Sequence, residues 1–390
     1  MASRLTETQN KALQELKVLV ENAIKNHQFS SYEGEEATLW GVPLLDDKRS
    51  RQIMLRFLKA RDFRVVDAFD MIKNTLQWRA QVGVDTLLEE DLGNSYDRVL
   101  FTHGFDKDGF PVWYFGLGEL SKTTSCDEEH LHKFYCWLIQ FVEKNVQKLD
   151  DDFTGGRNSF ALVIDLETYS WHVSRDFYKV VYRFLQLLQD YYPEFLEKQL
   201  WINVSWWYRY YSRAYCLVFD GWSTKKLVVF TGTSKTIDTL FKYISPGQVP
   251  VRYGGLSREN KEESSRFNTD DEPISEAYIN PDKKHTLEFN FAEICDIHWD
   301  LRVLGWEISY EAEFVPSIKG RYVTMISRNR KLNPTDAPVI SDSFRVTEPG
   351  KLVLTVHNTS SKTKKLVARV RVVAPGGTKG DEASLRGWLA

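Results

Sequence analysis

The segment WWYRYYSRAYCLVF at residues 206–219 carries Trp206, Trp207, Tyr210, Tyr211, Tyr215 and Phe219, with Arg209 and Arg213 one helical turn apart. As a helix it has no polar face. Two fates stay open: burial between a sheet and its neighbour, or a lid that shows rings to a lipid surface while its arginines reach lipid phosphates. Composition alone favours burial narrowly.

The other residue types that do chemistry do not assemble into an enzyme. The chain has no GxSxG elbow, no HExxH, no GxxxxGK[ST] and no GxGxxG after a strand. TGTSKT at 231–236 lacks the spaced glycines whose amides surround a phosphate, and reads as a strand-to-helix connection. His130 and His132, two apart on a predicted helix, point in different directions and cannot share a metal. Asp165 and Glu167 follow a predicted strand with no assignable nucleophile or base beside them, so a structural or capping role is expected. Cys126, Cys136, Cys216 and Cys295 show no CxxC spacing and read as buried free thiols in a reducing, cytosolic compartment.

Basic residues cluster in two regions. One holds Lys48, Arg49, Arg51, Arg56, Lys59 and Arg61; the other holds Lys319, Arg321, Arg328, Arg330 and Lys331, followed by Lys362, Lys364, Lys365, Arg369 and Arg371. Each singly reads as a solvated charge offset by the 54 acidic residues, but together they could attract an anionic membrane. The net charge of -3 argues against a nucleic-acid partner.

These residues need elements to hold them. At 390 residues the chain suits two or three domains, and its 42% hydrophobic content is that of a globular protein. A capping-box pair, Thr6 and Gln9, precedes an amphipathic helix within residues 1–46. Helices at 53–61 and 68–81, parted by a turn at Asp62 and Phe63, make a helical unit over 47–92. From 93 to 256 apolar runs alternate with helices: strands at 112–115, 160–164, 200–204, 227–230 and 249–253, helices at 129–147, 174–189, 206–219 and 237–244. Such alternation predicts an α/β domain with a largely parallel or mixed sheet. Residues 257–282 are polar and read as a linker, 283–374 alternate with period two as an antiparallel β-sandwich, and 375–390 read as a disordered tail. The polar N-terminus and the absence of a long apolar window make any membrane contact peripheral.

Four stretches, LRFLKARDF at 55–63, DKDGFPV at 106–112, DYYPE at 190–194 with INV at 202–204, and VPVRYGG at 249–255, resemble the CRAL-TRIO lipid-transfer family in order and spacing. The sandwich beyond looks like a GOLD module, and WGVPLL at 40–45 with FKYISP at 241–246 is similar to the plant patellins, which pair the two. The resemblance implies a lipid cavity floored by the sheet and gated by residues 206–219, which turns that segment from packing into a lid. It also implies a phosphatidylinositol or phosphoinositide ligand, with no other cofactor. Its head group would be held by Arg61, Glu194, Ser223 and Lys226. The chemistry suits them: Arg61 can fork onto a phosphate, Lys226 adds a compact charge, Ser223 donates, and Glu194 accepts from hydroxyls.

The expected function is therefore non-enzymatic: lipid transfer or presentation in the cytoplasm at anionic membrane, with weaker membrane contacts from Arg209, Arg213, Arg328, Arg330 and Lys331. Protein partners would bind the GOLD-like module. A carrier of a neutral hydrophobe such as a sterol or tocopherol, or a trafficking adaptor, remain as alternatives.

Overall fold

A computed structural model describes residues 5–29, 37–45, 48–123, 127–151, 158–167, 174–205, 227–258, 274–305, 307–332 and 338–373. The aromatic segment 206–219, with Ser223 and Lys226, lies outside the described residues, as does the expected tail 375–390. The chain divides into two compact units, residues 1–236 and 237–390.

The first unit begins with helix α1 (Glu7–Lys25), closed by the expected capping box: Thr6 Oγ1 accepts from the Gln9 amide, and Gln9 Oε1 from the Thr6 amide. Its apolar stripe, Leu13, Leu16, Val20 and Ala23, enters the same core as α2 (Ser50–Ala60) and α3 (Val65–Val82). Helix α1 is therefore part of the helical unit and not a separate element ahead of it. The turn after α2 places Asp62 and Phe63 at positive φ, and α3 stops at Gly83, whose left-handed φ of 68° suits a residue without a Cβ. A short α4 (Val84–Glu89) follows. Two-residue strands β1 (Thr38–Leu39) and β2 (Val42–Pro43) bracket the buried Trp40. Its ring stacks on Phe57 of α2 at 5.8 Å and meets Phe195 edge-on at 4.9 Å, joining the hairpin to helical unit and sheet.

The sheet has the order β3-β4-β5-β6-β7: β3 (Leu100–Phe105), β4 (Pro111–Gly116), β5 (Phe160–Asp165), β6 (Leu196–Ile202) and β7 (Leu227–Phe230). The β3–β4 pair is antiparallel and every later pair parallel, the mixed α/β sheet that the alternation predicted. The connections carry α5 (Leu117–Thr123) and α6 (Glu128–Asp151), then α7 (Ser174–Tyr191). At the β3–β4 turn, Asp106 Oδ1 accepts from the amides of Asp108 and Phe110, and Gly109 takes φ 80°.

The second unit holds two four-stranded antiparallel sheets. One has the order β13-β10-β15-β8, from β8 (Ile274–Ile279), β10 (Cys295–Val303), β13 (Ile340–Val346) and β15 (Lys364–Val373). The other has the order β12-β11-β14-β9, from β9 (Lys284–Phe291), β11 (Ile308–Pro316), β12 (Thr324–Leu332) and β14 (Gly350–Asn358). Their inward residues, among them Trp299, Tyr310, Phe314, Leu354 and Val370, form one core, in which Trp299 Nε1 donates to the Tyr310 hydroxyl at 2.8 Å.

Two expectations need correcting here. The stretch 257–282 is not linker throughout, because β8 pairs with β15 along the sheet edge. As an edge strand it turns Tyr278 to solvent and leaves only Ile279 fully buried, so it shows too little apolar alternation to be read. Residues 249–253 are not a strand: Val251–Tyr253 is one 3-10 turn after Pro250. It ends at Gly254 with φ 95°, and a Cβ on Gly255 would lie 2.0 Å from the Val249 carbonyl oxygen. Helix α8 (Thr236–Tyr243) and this turn fall within the second compact unit. Asp238 accepts from Lys365 Nζ and from the Tyr278 hydroxyl, both at 2.8 Å, and Arg302 Nη1 donates to the carbonyls of Val251 and Gly255.

Candidate functional site

Both faces of the first unit's sheet are buried, but they do different things. In register across the strands, Trp113, Leu162 and Gln199 form one row and Phe115, Ile164 and Trp201 the next. The apolar members of these rows join the core shared with α6, α7 and the helical unit, and Trp113 stacks on Phe160 at 3.6 Å. The alternate rows, Val112 with Ala161, Tyr114 with Val163 and Leu200, and Ile202 beyond, face the opposite way. Each is at most 1% exposed, yet none belongs to that core. The sheet thus has a second buried apolar face, separate from that core.

At one end of this second face sits a buried charge. Lys198, in register with Ala161, places Nζ 2.5 Å from Asp106 Oδ2 and against Asp108 of the β3–β4 turn. Hydrogen bonds to the two carboxylates outweigh desolvation and raise its pKa, so it stays a cation. At the other end Asp165 Oδ1 accepts from the Glu167 amide and from Asn203 Nδ2, the structural role expected of it. His130 pairs with Asp127 at 2.7 Å, and no cluster suited to a metal occurs among the described residues.

Arg61 caps the C-terminus of α2 and lines a pocket of about 550 Å³ together with Asp70, Asn74, Gln77, Trp78 and Asp190. Trp78 and Tyr191 stack at 4.1 Å on its wall. Partial burial lifts the Asp190 carboxyl above its ordinary range, and the Arg61 guanidinium opposes the rise. With Asp67 the lining sets three carboxylates and three amides around one guanidinium, so acceptors and donors for hydroxyls surround a single fork.

Glu194, four residues beyond Asp190, does not line this pocket. It sits at φ 62° in the turn before β6, and its carbonyl accepts from Arg56 Nη1 at 2.8 Å and Ser159 Oγ at 3.1 Å. Arg56 also donates through Nη2 to the Asn158 carbonyl, and its guanidinium lies 3.7 Å over the Phe195 ring. Arg56 is buried, so it braces the turn instead of attracting a membrane, contrary to its inclusion among the membrane-facing cations. The same correction applies to Lys365, held by Asp238 and Glu276, and to Arg369, held by Asp300. Arg328, Arg330 and Lys331 are exposed on β12.

Asp190 and Arg56 lie inside the motif stretches, and sequence alone does not mark either as a site residue. Their charges look like surface residues until distant segments meet around them.

The comparisons with known proteins divide the chain as the sequence does, with the α/β match running past residue 236. Residues 12–74 match the CRAL/TRIO N-terminal domain model, 96–255 the CRAL/TRIO domain model, and 280–365 the model described as Patellin-1-like, C-terminal GOLD domain. The chain is 44% identical to Patellin-3 of Arabidopsis thaliana over 375 residues, spanning 95% of this chain and 76% of that protein. It is 41% identical to Patellin-1 of the same plant over 87% of this chain, but spans only 58% of that longer protein. A phosphatidylinositol/phosphatidylcholine transfer protein, SFH9 of Arabidopsis thaliana, is 28% identical over 52% of this chain and 36% of its own length. The crystal structure of Sfh5 superimposes with a TM-score of 0.51 at 20% identity, covering 66% of this chain and 90% of that one, which supports the fold. With the fold, the order of motifs and the match to Patellin-3 in agreement, the chain belongs to the patellin family of CRAL-TRIO proteins with a C-terminal GOLD domain.

Proposed function

We propose that this protein holds one phosphoinositide with its head group against Arg61, and transfers or presents it at anionic membrane. The observation that carries the reading is the Arg61 pocket: a cation on a rim otherwise made of carboxylates, amides and a stacked Trp78–Tyr191 pair. A phosphate asks for the guanidinium, and the ring hydroxyls of inositol ask for acceptors such as Asp70, Asp190 and Gln77. A neutral hydrophobe needs none of these. SFH9, whose name records phosphatidylinositol transfer, supports the lipid class.

In this reading Glu194, Ser223 and Lys226 complete the head-group shell and residues 206–219 gate the chains. Acyl transfer from bilayer to pocket is close to balanced, because each methylene is worth roughly 0.8 kcal/mol against water in either place. Selectivity then comes from the head group. No covalent step is part of the mechanism: the residues bind, orient and release. The test is mass spectrometry of lipid extracted from the purified full chain. A phosphatidylinositol or phosphoinositide is expected, and a sterol or tocopherol in its place would refute the reading.

A further inference from the structure

Exposed apolar side chains scattered singly are ordinary on any surface, and a contiguous group is not. Among the described residues twelve large hydrophobic side chains are exposed, and four of them, Ile318, Tyr322, Val323 and Met325, fall within eight residues of the second unit. They occupy the loop between β11 and β12 and the first turn of the edge strand β12. Tyr322 is 93% exposed. The stretch 317–332, SIKGRYVTMISRNRKL, also carries Lys319, Arg321, Arg328, Arg330 and Lys331 and no carboxylate, in a chain whose net charge is -3. Arg321 Nε lies 3.5 Å from Glu348, and that arginine remains 64% exposed.

Two opposed features meet there. Apolar side chains and a tyrosine ring stand in water at a loop tip, and the cations around them are unbalanced within their own segment. A protein surface that covered the loop would have to bury those cations or supply carboxylates one by one. An anionic bilayer accepts both features at once, because ring and aliphatic groups enter the head-group and upper acyl region while the cations stay at phosphate depth. Gly320, at φ 92° with no atom within 4 Å of a notional Cβ, lets the tip turn without crowding it.

We infer that the β11–β12 loop is a membrane anchor, which inserts Ile318, Tyr322 and Val323 into anionic lipid surface while Lys319 and Arg321, on either side of Gly320, contact lipid phosphates. This deepens the proposed function, since it rests on membrane action, but it is independent of which lipid fills the pocket. Each cation near the surface contributes roughly fivefold in affinity, so the loop sets how long the protein stays on a membrane.

The experiment floats the full chain with phosphatidylcholine vesicles with and without phosphatidylserine, none containing phosphoinositide. Wild type is expected to bind the anionic vesicles and to lose binding as salt rises. Tyr322→Asp combined with Ile318→Ser should weaken binding at least tenfold, Lys319→Glu with Arg321→Glu likewise, and Val18→Asp, at an exposed apolar site on α1, should change nothing. The vesicles carry no phosphoinositide, so failure of the anchor is read apart from failure of the head-group pocket, which the lipid extracted from the full chain reports. Unchanged binding by the loop variants, with their circular dichroism and melting temperature intact, overturns the inference. So does no binding by wild type, or a wild-type dimer that the Tyr322→Asp variant converts to monomer, which would assign the loop to a second copy.

Discussion

Arg56 and Glu194, 138 residues apart in sequence, meet at 2.8 Å, the guanidinium donating to the backbone carbonyl of a residue at φ 62°. The glutamate proposed for the head group therefore owes its position to an arginine that never needs to touch lipid. Arg56→Ala removes two hydrogen bonds to carbonyls and a cation stacked on Phe195. We expect a loss of about 2–4 kcal/mol in chemical denaturation, since buried acceptors are left unsatisfied. Arg56→Lys should restore little, because an ammonium cannot fork to both carbonyls.

A second buried contact ties helix to helix. Arg79 of α3 places Nη1 2.5 Å from Glu143 Oε1 of α6, and the Tyr192 hydroxyl donates to the same oxygen at 2.7 Å, with Arg79 2% exposed and the other two 0%. Burial raises the Glu143 carboxyl and Arg79 and Tyr192 pull it back. Glu143→Ala should cost up to about 3–5 kcal/mol, because it takes the buried carboxylate from the Arg79 guanidinium and leaves it the exposed Asp85, 3.0 Å from Nη2. The double variant Arg79→Met with Glu143→Leu should cost clearly less than either single change, as read by urea midpoints in a double-mutant cycle.

The Asp190 carboxyl is raised by partial burial, so the folded state holds its proton more readily than the unfolded chain does. Its contribution to stability is greatest below the ordinary carboxylate range of about 3.9 and is lost as pH rises through the folded value. Asp190→Asn, fixed in the neutral form, should be slightly more stable than wild type near neutrality and equal to it in acid. Because Asp190 is largely exposed, the difference is small. Carbon-detected NMR titration gives the direct readout: Arg61→Ala removes the opposing charge, so the Asp190 midpoint moves further up.

Much of this architecture was legible because apolar runs and helical stripes are local signals. The runs at 112–115, 160–164 and 227–230 lie within β4, β5 and β7, and the pair Thr6 and Gln9 marks the start of α1. What was hidden depends on partners distant in sequence. Strand β8 reads as polar because an edge strand buries little. The turn at 249–255 reads as apolar and extended, but Pro250 and the glycine pair bend it. Lys365 and Arg369 look like free cations until Asp238, Glu276 and Asp300 arrive from other segments. Arg61 stands in the stretch LRFLKARDF, but the pocket it shares with Asp190 and Asn74 needed α2, α3 and α7 brought together.

The head-group assignment of Arg61 is tested most directly by transfer of labelled phosphatidylinositol and phosphatidylcholine between vesicles, comparing wild type with Arg61→Ala. The account predicts that wild type moves phosphatidylinositol in preference, and that the variant, folded and still floating with anionic vesicles, loses that transfer by at least tenfold, a deficit of about 1.4 kcal/mol. Phosphatidylinositol transfer unchanged in Arg61→Ala would contradict it.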